Sequence, residues 1–243
     1  MWDWLLAPMD PDRVHAVGWH LSWHARLMVA GWGVLVPLGI LIARYFKIAP
    51  WQRWPETLDS RFWWNTHRIC QYSATLLMVV GLWFIWNAPL IQHRPGPHAL
   101  MGWTVVVLAT VQVLGGILRG TKGGPTEPGP DGSWRGDHFD MSRRRLIFEY
   151  VHKTAGYGAL LLSAATILLG LWQANGPNWM WLTLALWWAA LLCTAAILQR
   201  RGRAIDTYQA IWGPDPSLPG NRRRPIGLAV RRYPDIVGKH AKE

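Results

Sequence analysis

Four histidines, each near the start of its own apolar segment, are the residues of this chain whose type and spacing could do chemistry. They are His24, His67, His98 and His152. A neutral imidazole binds iron well, and a helix holds the direction of the ring rigidly. Two imidazoles that face each other across a helix bundle can supply both axial ligands of one haem iron. We therefore predict that all four histidines are metal ligands.

The order of the four segments predicts how these histidines pair. Consecutive membrane spans run antiparallel, so the first and third segments start on one side of the bilayer and the second and fourth on the other. His24 then pairs with His98 on the outer side, and His67 with His152 on the cytoplasmic side. Two haems bound in this way, at ligand levels at most ~30 Å apart, would form a route for electrons between the two membrane faces.

Five apolar runs must position these residues, and each is long enough for the ~20 residues that a spanning helix needs. Many of the 19 Trp residues flank the runs, as is typical of side chains at headgroup level. We predict an all-α integral membrane bundle of five transmembrane helices with a dihaem four-helix core. A short outer tail (1–18) and a basic, extended cytoplasmic tail (200–243) flank the transmembrane domain (19–199). The spans lie at about 20–46, 65–87, 98–119, 146–172 and 179–199.

The net charge of +11 is distributed as in a membrane protein rather than as in a nucleic-acid-binding protein. With the N-terminus placed outside, most of the 25 Lys and Arg residues lie in or beside the 44–68 loop, the 119–153 loop and the tail. This positive-inside pattern predicts a periplasmic N-terminus and a cytoplasmic C-terminus, and we expect a bacterial inner membrane. A basic face attracts anionic lipid, so membrane lipid is an expected partner and nucleic acid is not. The basic residues on the outer side are Arg13, Arg26 and Arg94.

Other histidines and the cysteines receive no site role. His20 is an alternative to His24 because it lies one turn earlier on the same helix face, and we prefer His24 because it lies deeper in the span. Cys70 and Cys193 form no motif, so they cannot attach a haem covalently. The remaining histidines fall in tails or loops, where we expect them to be solvated: His15, His93, His138 and His240.

Three glycines are candidates for lining the cofactor, because a flat macrocycle between helices needs places without side chains. Gly102 and Gly156 each lie four residues after a predicted ligand, on the same helix face. Gly81 follows His67 by a near-whole number of helical turns, which returns it to that face near the other haem. The alternative is that these glycines serve only for close packing of membrane helices.

Several cations cluster near the predicted inner haem. Haem propionates are carboxylates, which guanidinium and ammonium groups pair with. The alternative is that the positive-inside rule alone accounts for them. Gln71 and Gln112 are buried polar residues that could bond across helices or contact haem. The candidate propionate partners are Arg44, Arg68, Arg119 and Lys153.

At these residues the chain resembles the cytochrome b561 family, in particular the membrane half of members in which a DOMON domain precedes five spans. The stretches that carry the resemblance are HARLMVAGWGVLVPLGILIARYFK, THRICQYSATLLMVVGLW, HALMGWTVVVLATVQVLGGILRG and EYVHKTAGYGALLL, within about residues 20–172. The resemblance implies that the four histidines bind two haem b groups, with the fifth span outside the haem core. Arg44 matches a family position near the inner haem and the electron-donor site of ascorbate-using members. No DOMON-like stretch precedes the first span, so we expect any outer redox module to be a separate periplasmic redox protein or part of a larger complex.

The predicted function is that of a dihaem b-type cytochrome that passes single electrons between a donor and an acceptor. No side chain needs to act as acid, base or nucleophile, so no catalytic residue is assigned. One alternative is a haem-bearing, quinone-linked membrane anchor of a periplasmic dehydrogenase or of a respiratory or photosynthetic complex. A second alternative is a structural subunit without redox activity, whose histidines crosslink helices or bind another metal.

Overall fold

The computed structural model describes residues 2–88, 96–126 and 128–233, and this part of the chain is built from helices. Five of the helices are long and apolar enough to cross a membrane. The predicted all-α fold with five transmembrane helices is therefore confirmed. In chain order the helices are α1 (Trp2–Leu6), α2 (Trp19–Tyr45), α3 (Arg61–Trp86), α4 (Pro97–Ile117), α5 (Arg143–Gln173), α6 (Asn178–Arg200) and α7 (Thr207–Trp212).

Two of the long helices begin three or four residues before the apolar runs from which they are predicted. Helix α3 begins at Arg61 rather than near residue 65, and α5 begins at Arg143 rather than near residue 146. Both early turns carry arginine, which hydropathy does not count as part of a span. An apolar run measures the segment that lies in hydrocarbon, whereas the helix continues into the polar region beyond it.

The chain divides into two compact units, and the long helices contribute to both. The first unit comprises Met1–Ile40, Arg68–Ala109 and Gly158–Thr194. Its core is a cluster of apolar side chains: Trp32, Val36, Ala74, Met78, Val105, Ala109, Ala159, Ile167 and Leu184. The second unit comprises Leu41–His67, Thr110–Tyr157 and Ala195–Glu243. Its cores are smaller and combine loop and tail residues: Ile48, Ile205 and Ala210 in one, Met141, Tyr208 and Ile226 in the other.

Helix α2 contains a π-helical turn at Val29–Leu35, inside the first unit. Here the carbonyl oxygen of Gly33 accepts hydrogen bonds from the indole nitrogens of Trp187 and Trp188, both at 3.0 Å. A Cβ at Gly31 would lie 3.2 Å from the carbonyl oxygen of Ala74. The wider turn thus presents backbone to α6, and the missing side chain lets α3 approach closely.

Within the predicted tail, residues 201–233 do not form the extended segment that their basic composition predicts. Residues 204–211 are buried, and they include helix α7. Tyr208 is 2% exposed and its hydroxyl donates a 2.8 Å hydrogen bond to the carbonyl oxygen of Phe139. Gly220 lies directly against the ring of Tyr208. The few apolar residues of this segment are buried because loop residues of the same unit, such as Ile48 and Met141, pack against them.

His138 lies in a Gly- and Pro-rich loop, which predicts a solvated side chain. It is instead buried and only 3% exposed. Its ring lies beside those of Tyr208 and Trp212, with centroids 5.8 and 6.0 Å away. Burial, and then the positive charge of Arg145, lower the pKa of His138 to about 3, while Glu149 at 3.8 Å opposes that shift. The loop folds inward because Gly123 and Gly136 pack backbone against backbone, which no side chain would permit. Of the other histidines expected to be solvated, His15 is exposed, and His93 and His240 lie outside the described residues.

Enlarging Gly31 should destabilise the protein, because the added side chain would overlap the backbone of α3 in a well-packed core. We expect Gly31→Val to lower the free energy of unfolding by about 1–3 kcal/mol. The measurement is the thermal unfolding midpoint of the purified protein. Gly116→Val is the matched control, since a Cβ at Gly116 meets nothing within 4 Å. Equal losses in the two variants would contradict the close approach.

Acid should destabilise the protein partly through His138. Because its pKa is lowered in the folded state, the unfolded chain binds one proton more below the ordinary value of 6.5. Stability is therefore lost as the pH falls below 6.5, by at most about 1.4 kcal/mol per pH unit. We expect the unfolding midpoint of His138→Gln to fall less between pH 7 and pH 5 than that of the unmodified protein. Parallel pH profiles would rule out this contribution.

Candidate functional site

His24 on α2 and His98 on α4 form the first histidine pair, within the first unit. Their ring centroids are 6.3 Å apart and their planes lie at 81°. The Nδ1 of His24 lies 3.0 Å from the carbonyl oxygen of Gly81, and the Nδ1 of His98 lies 2.9 Å from that of Thr166. A carbonyl oxygen only accepts, so both rings donate through Nδ1, and in a neutral ring Nε2 then carries no proton. A ring nitrogen without a proton is what a metal ion binds.

His67 on α3 and His152 on α5 form the second histidine pair, within the second unit. Their ring centroids are also 6.3 Å apart, with the planes at 77°. The Nδ1 of His152 is buried and has no hydrogen-bond partner among the described residues. Phe148 packs against the same ring at 5.0 Å, and Gln112 donates a 3.1 Å hydrogen bond to the peptide carbonyl of His152.

The spacing within both pairs fits two axial ligands of one metal ion. Metal–imidazole bonds are about 2 Å long, so imidazoles bound on opposite sides of one ion have centroids about 6 Å apart. Each pair supplies two nitrogens, the number of axial positions on a haem iron. The donor sets, the tautomer of the first pair and the unpartnered nitrogen of His152 are all compatible with bound haem.

Gly170 on α5 is a site residue that sequence reasoning missed. A Cβ at this position would lie 2.7 Å from Cε1 of the His98 ring. Its absence lets the ring lie against α5, where it reaches the carbonyl oxygen of Thr166 one turn earlier. The sequence did contain a signal for this role, because Gly170 follows His152 by a whole number of helical turns. Gly81 follows His67 by a nearly whole number of turns in the same way.

The three predicted glycines differ in what they do. The carbonyl of Gly81 binds His24, and a Cβ there would lie 3.2 Å from the terminal carbon of Met28, so this glycine brings α3 close to α2. At Gly102 and Gly156 a Cβ would meet its neighbours at ordinary contact distances, 3.8 and 3.6 Å. A role for the latter two in lining a macrocycle stays a prediction.

The predicted propionate partners already have protein partners. Arg44 donates to the hydroxyl of Tyr157 and the side chain of Gln199, both at 3.0 Å. Lys153 donates to Glu149 at 2.6 Å. Two guanidinium groups lie over aromatic rings: that of Arg119 is 4.1 Å from the ring centroid of Trp64, and that of Arg68 is 5.6 Å from that of Tyr72.

A buried charge ladder at the start of α5 was not foreseen. Glu149 is 4% exposed and accepts from Arg145 at 3.0 Å as well as from Lys153. The three residues are spaced four apart, so they share one helix face. That spacing was visible in the sequence, but the burial that makes it significant was not.

Two further polar residues singled out in the sequence, His20 and Gln71, contact neighbouring helices. His20 lies 6.4 Å from the ring of Phe84, so His24 rather than His20 is the residue beside His98. Gln71 donates to the carbonyl oxygen of Val36 at 3.4 Å.

A cavity of about 190 Å³ lies beside the second pair, between α4 and α5. Its lining is mostly apolar, and His152 forms part of the wall. The other lining residues are Val111, Gln112, Gly115, Leu118, Arg144, Ile147, Phe148 and Val151.

Comparison with known proteins finds one matching family model and several similar relatives. The family model described as eukaryotic cytochrome b561 matches residues 23–122, which include three of the four histidines. A cytochrome b561, DM13 and DOMON domain-containing protein of Arabidopsis thaliana is 29% identical over 189 residues, or 75% of this chain and 18% of the relative. A second Arabidopsis thaliana protein, with cytochrome b561 and DOMON domains, is 30% identical over 152 residues, or 61% of this chain and 31% of the relative.

Human ferric-chelate reductase 1 is 27% identical over 153 residues, or 62% of this chain and 22% of the relative. The matching region thus spans between about a fifth and a third of these relatives. No solved structure matches the chain. Over residues 23–122 the chain thus matches the cytochrome b561 family, and its wider similarity is to relatives that carry a cytochrome b561 domain or are named ferric-chelate reductases.

Proposed function

We propose that this protein is a dihaem cytochrome that carries single electrons between a donor and an acceptor on opposite faces of the membrane. The observation that carries the proposal is the presence of two histidine pairs, each with its ring centroids 6.3 Å apart. His24 and His98 would hold one haem b, and His67 and His152 the other. Bound haem supplies one-electron oxidation and reduction at its iron.

The protein's own contribution is to orient the four imidazoles that would hold the two haem groups. The backbone carbonyls of Gly81 and Thr166 fix the tautomer and direction of the first pair. Such hydrogen bonds also raise the basicity of a ligating imidazole. A haem iron held by two imidazoles would have no position open for oxygen, so the group would supply electron transfer rather than oxygen chemistry.

The arrangement of basic residues supports an orientation with the first pair toward the outside. Of the charged loops, those on the side of the second pair carry most of the Lys and Arg residues, as the positive-inside rule requires. Relatives from Homo sapiens and Xenopus laevis are named as ferric-chelate reductases, the latter as a putative one. A ferric chelate, accepting one electron on the outer side, is therefore a candidate acceptor, and a separate redox protein is another.

Replacing one histidine of each pair should remove two different haems. We expect His24→Ala and His67→Ala each to halve the haem bound per chain and to abolish a different wave in a redox titration. The measurement is haem content of the purified protein together with the titration. His20→Ala is the matched control and should keep both haems. If both alanine variants lost the same centre, the pairing would be wrong.

The cavity beside His152 favours a second candidate function, that of a quinone-linked membrane anchor. An apolar cavity with the amide of Gln112 and the guanidinium of Arg144 at its wall could take a quinone ring, whose carbonyl oxygens need donors. A quinone there would lie next to a proposed haem ligand.

Filling this cavity should separate the two functions. In Val111→Trp the indole would occupy space between α4 and α5, so we expect the oxidation of the reduced protein by decylubiquinone to slow at least tenfold. Its oxidation by a ferric chelate should not change. Val107→Trp, one turn earlier on α4 and outside the cavity lining, is the control. Unchanged quinone kinetics in Val111→Trp would eliminate the second candidate.

A further inference from the structure

The segment from Ile226 to Tyr233, which we call the C-terminal strap, is fixed at both ends and exposed in the middle. Ile226 is buried against Met141 and Tyr208. At the other end the guanidinium of Arg232 donates to Asp206 at 2.7 Å and to the carbonyl oxygen of Gly220 at 3.0 Å. Between these anchors residues 227–229 are exposed.

Two carbonyl oxygens of the strap bind two cations, one of which, Lys153, directly follows the predicted ligand His152 in the chain. The carbonyl of Leu228 accepts from Arg44 at 2.6 Å, and that of Ile226 accepts from Lys153 at 2.8 Å. Arg44 also donates to Tyr157, which is one turn from Lys153 on α5. Arg44, on α2, thus lies beside the face of α5 that carries Lys153 and Tyr157, and carbonyls two residues apart along the strap reach both cations.

Gly227, between the two carbonyls, is the residue that lets the strap take this path. Its φ is +133°, in a region that residues with a side chain rarely adopt. A Cβ there would also lie 2.8 Å from the side chain of Val230. Leu228, by contrast, is 78% exposed and contributes to the contact only through its backbone.

The strap carbonyls and small anions compete for the same hydrogen-bond donors, those of Arg44 and Lys153. A carbonyl oxygen is a neutral acceptor, and hydrogen bonds from a cation to an anion are roughly twice as strong as those between neutral groups. Glu149 already compensates Lys153, whereas the acceptors that the structure gives Arg44 are all uncharged. A small anion with two oxygens would therefore be drawn to the same donors if the strap were lifted.

On the basis of the proposed function, we propose that the strap determines which reductants reach the second histidine pair. By occupying the donors of Arg44 and Lys153, residues 226–229 exclude small anionic reductants from this end of the protein. Neutral reductants gain nothing from the two cations, so the strap leaves their reaction unchanged. Displacing the strap turns the cation pair into a docking site for anions.

The first arm of the test asks whether Gly227 holds the strap, without reference to haem. The full chain is purified, and trypsin cleavage after Arg231 is followed by mass spectrometry. We expect Gly227→Ala to be cleaved at least fivefold faster than the unmodified protein, because the added Cβ strains the strap. Leu228→Ala, which keeps the backbone contact, should be cleaved at the unmodified rate. Arg232→Ala, which removes the far anchor, is a second displaced variant should Gly227→Ala fail to fold.

The second arm compares an anionic with a neutral reductant by stopped flow, using haem-loaded protein. Dithionite delivers one electron to each haem and is itself oxidised to sulfite, and durohydroquinone is oxidised to the quinone with release of two protons. In Gly227→Ala we expect about tenfold faster reduction of the second-pair haem by dithionite and no change with durohydroquinone. The gain should shrink as salt is added, and should vanish in Gly227→Ala combined with Arg44→Gln.

Either arm can overturn the proposal. Faster cleavage with an unchanged dithionite rate would mean that the strap shields nothing. Equal acceleration with both reductants would mean that it acts as a steric cover rather than through charge. Unaltered cleavage in both displaced variants would mean that it is not a separable element. Failure of the proposed function would appear differently, as protein without haem, while the trypsin comparison would still report on the strap.

Discussion

The hydrogen bond from an imidazole Nδ1 to a backbone carbonyl of a neighbouring helix is the interaction on which the first histidine pair depends. Inside a membrane, helix carbonyls are the acceptors at hand, since each keeps a second lone pair after bonding within its own helix. Reaching them requires the two helices to approach, or the ring to lie flat against the backbone. Gly81 meets the first requirement for His24, and Gly170 meets the second for His98. In a neutral ring this geometry leaves Nε2 without a proton on both residues, as a metal ligand would require.

The second pair reaches the same centroid separation with different support. The ring of His152 packs on Phe148, and its Nδ1 has no hydrogen-bond partner in the described part of the chain. Close by on the same helix, Glu149 carries its buried ion pairs with Arg145 and Lys153. Because hydrogen bonds to the distal nitrogen and nearby charge both tune a ligating imidazole, the two sites offer a metal unequal electronic surroundings.

What the sequence could predict divides along a physical line. The spans and the same-side pairing of histidines follow from local hydropathy and from antiparallel threading, which need no knowledge of partners. Gly170, the burial of His138 and the folded segment around Tyr208 depend on contacts between residues far apart in the chain. Their local patterns (a glycine at whole-turn spacing, a histidine in a polar loop, a few apolar residues among arginines) were ambiguous. Only the backbone path showed which of them meet a partner.

The basic residues outside the spans show why composition alone does not reveal what Lys and Arg side chains bind. Their count suggests a surface for anionic lipid, yet several hold main-chain carbonyls of the tail or loops instead. Lys47 donates to the carbonyl of Ile205 at 2.9 Å, and Arg203 to that of Ile48 at 2.6 Å. Burial, and then the charge of Lys153, lower the pKa of Lys47 to about 7, because the ammonium group is removed from water and bonds to backbone carbonyls. Main-chain contacts of this kind therefore fix the path of the tail together with its buried side chains, of which Tyr208 and Ile226 are examples.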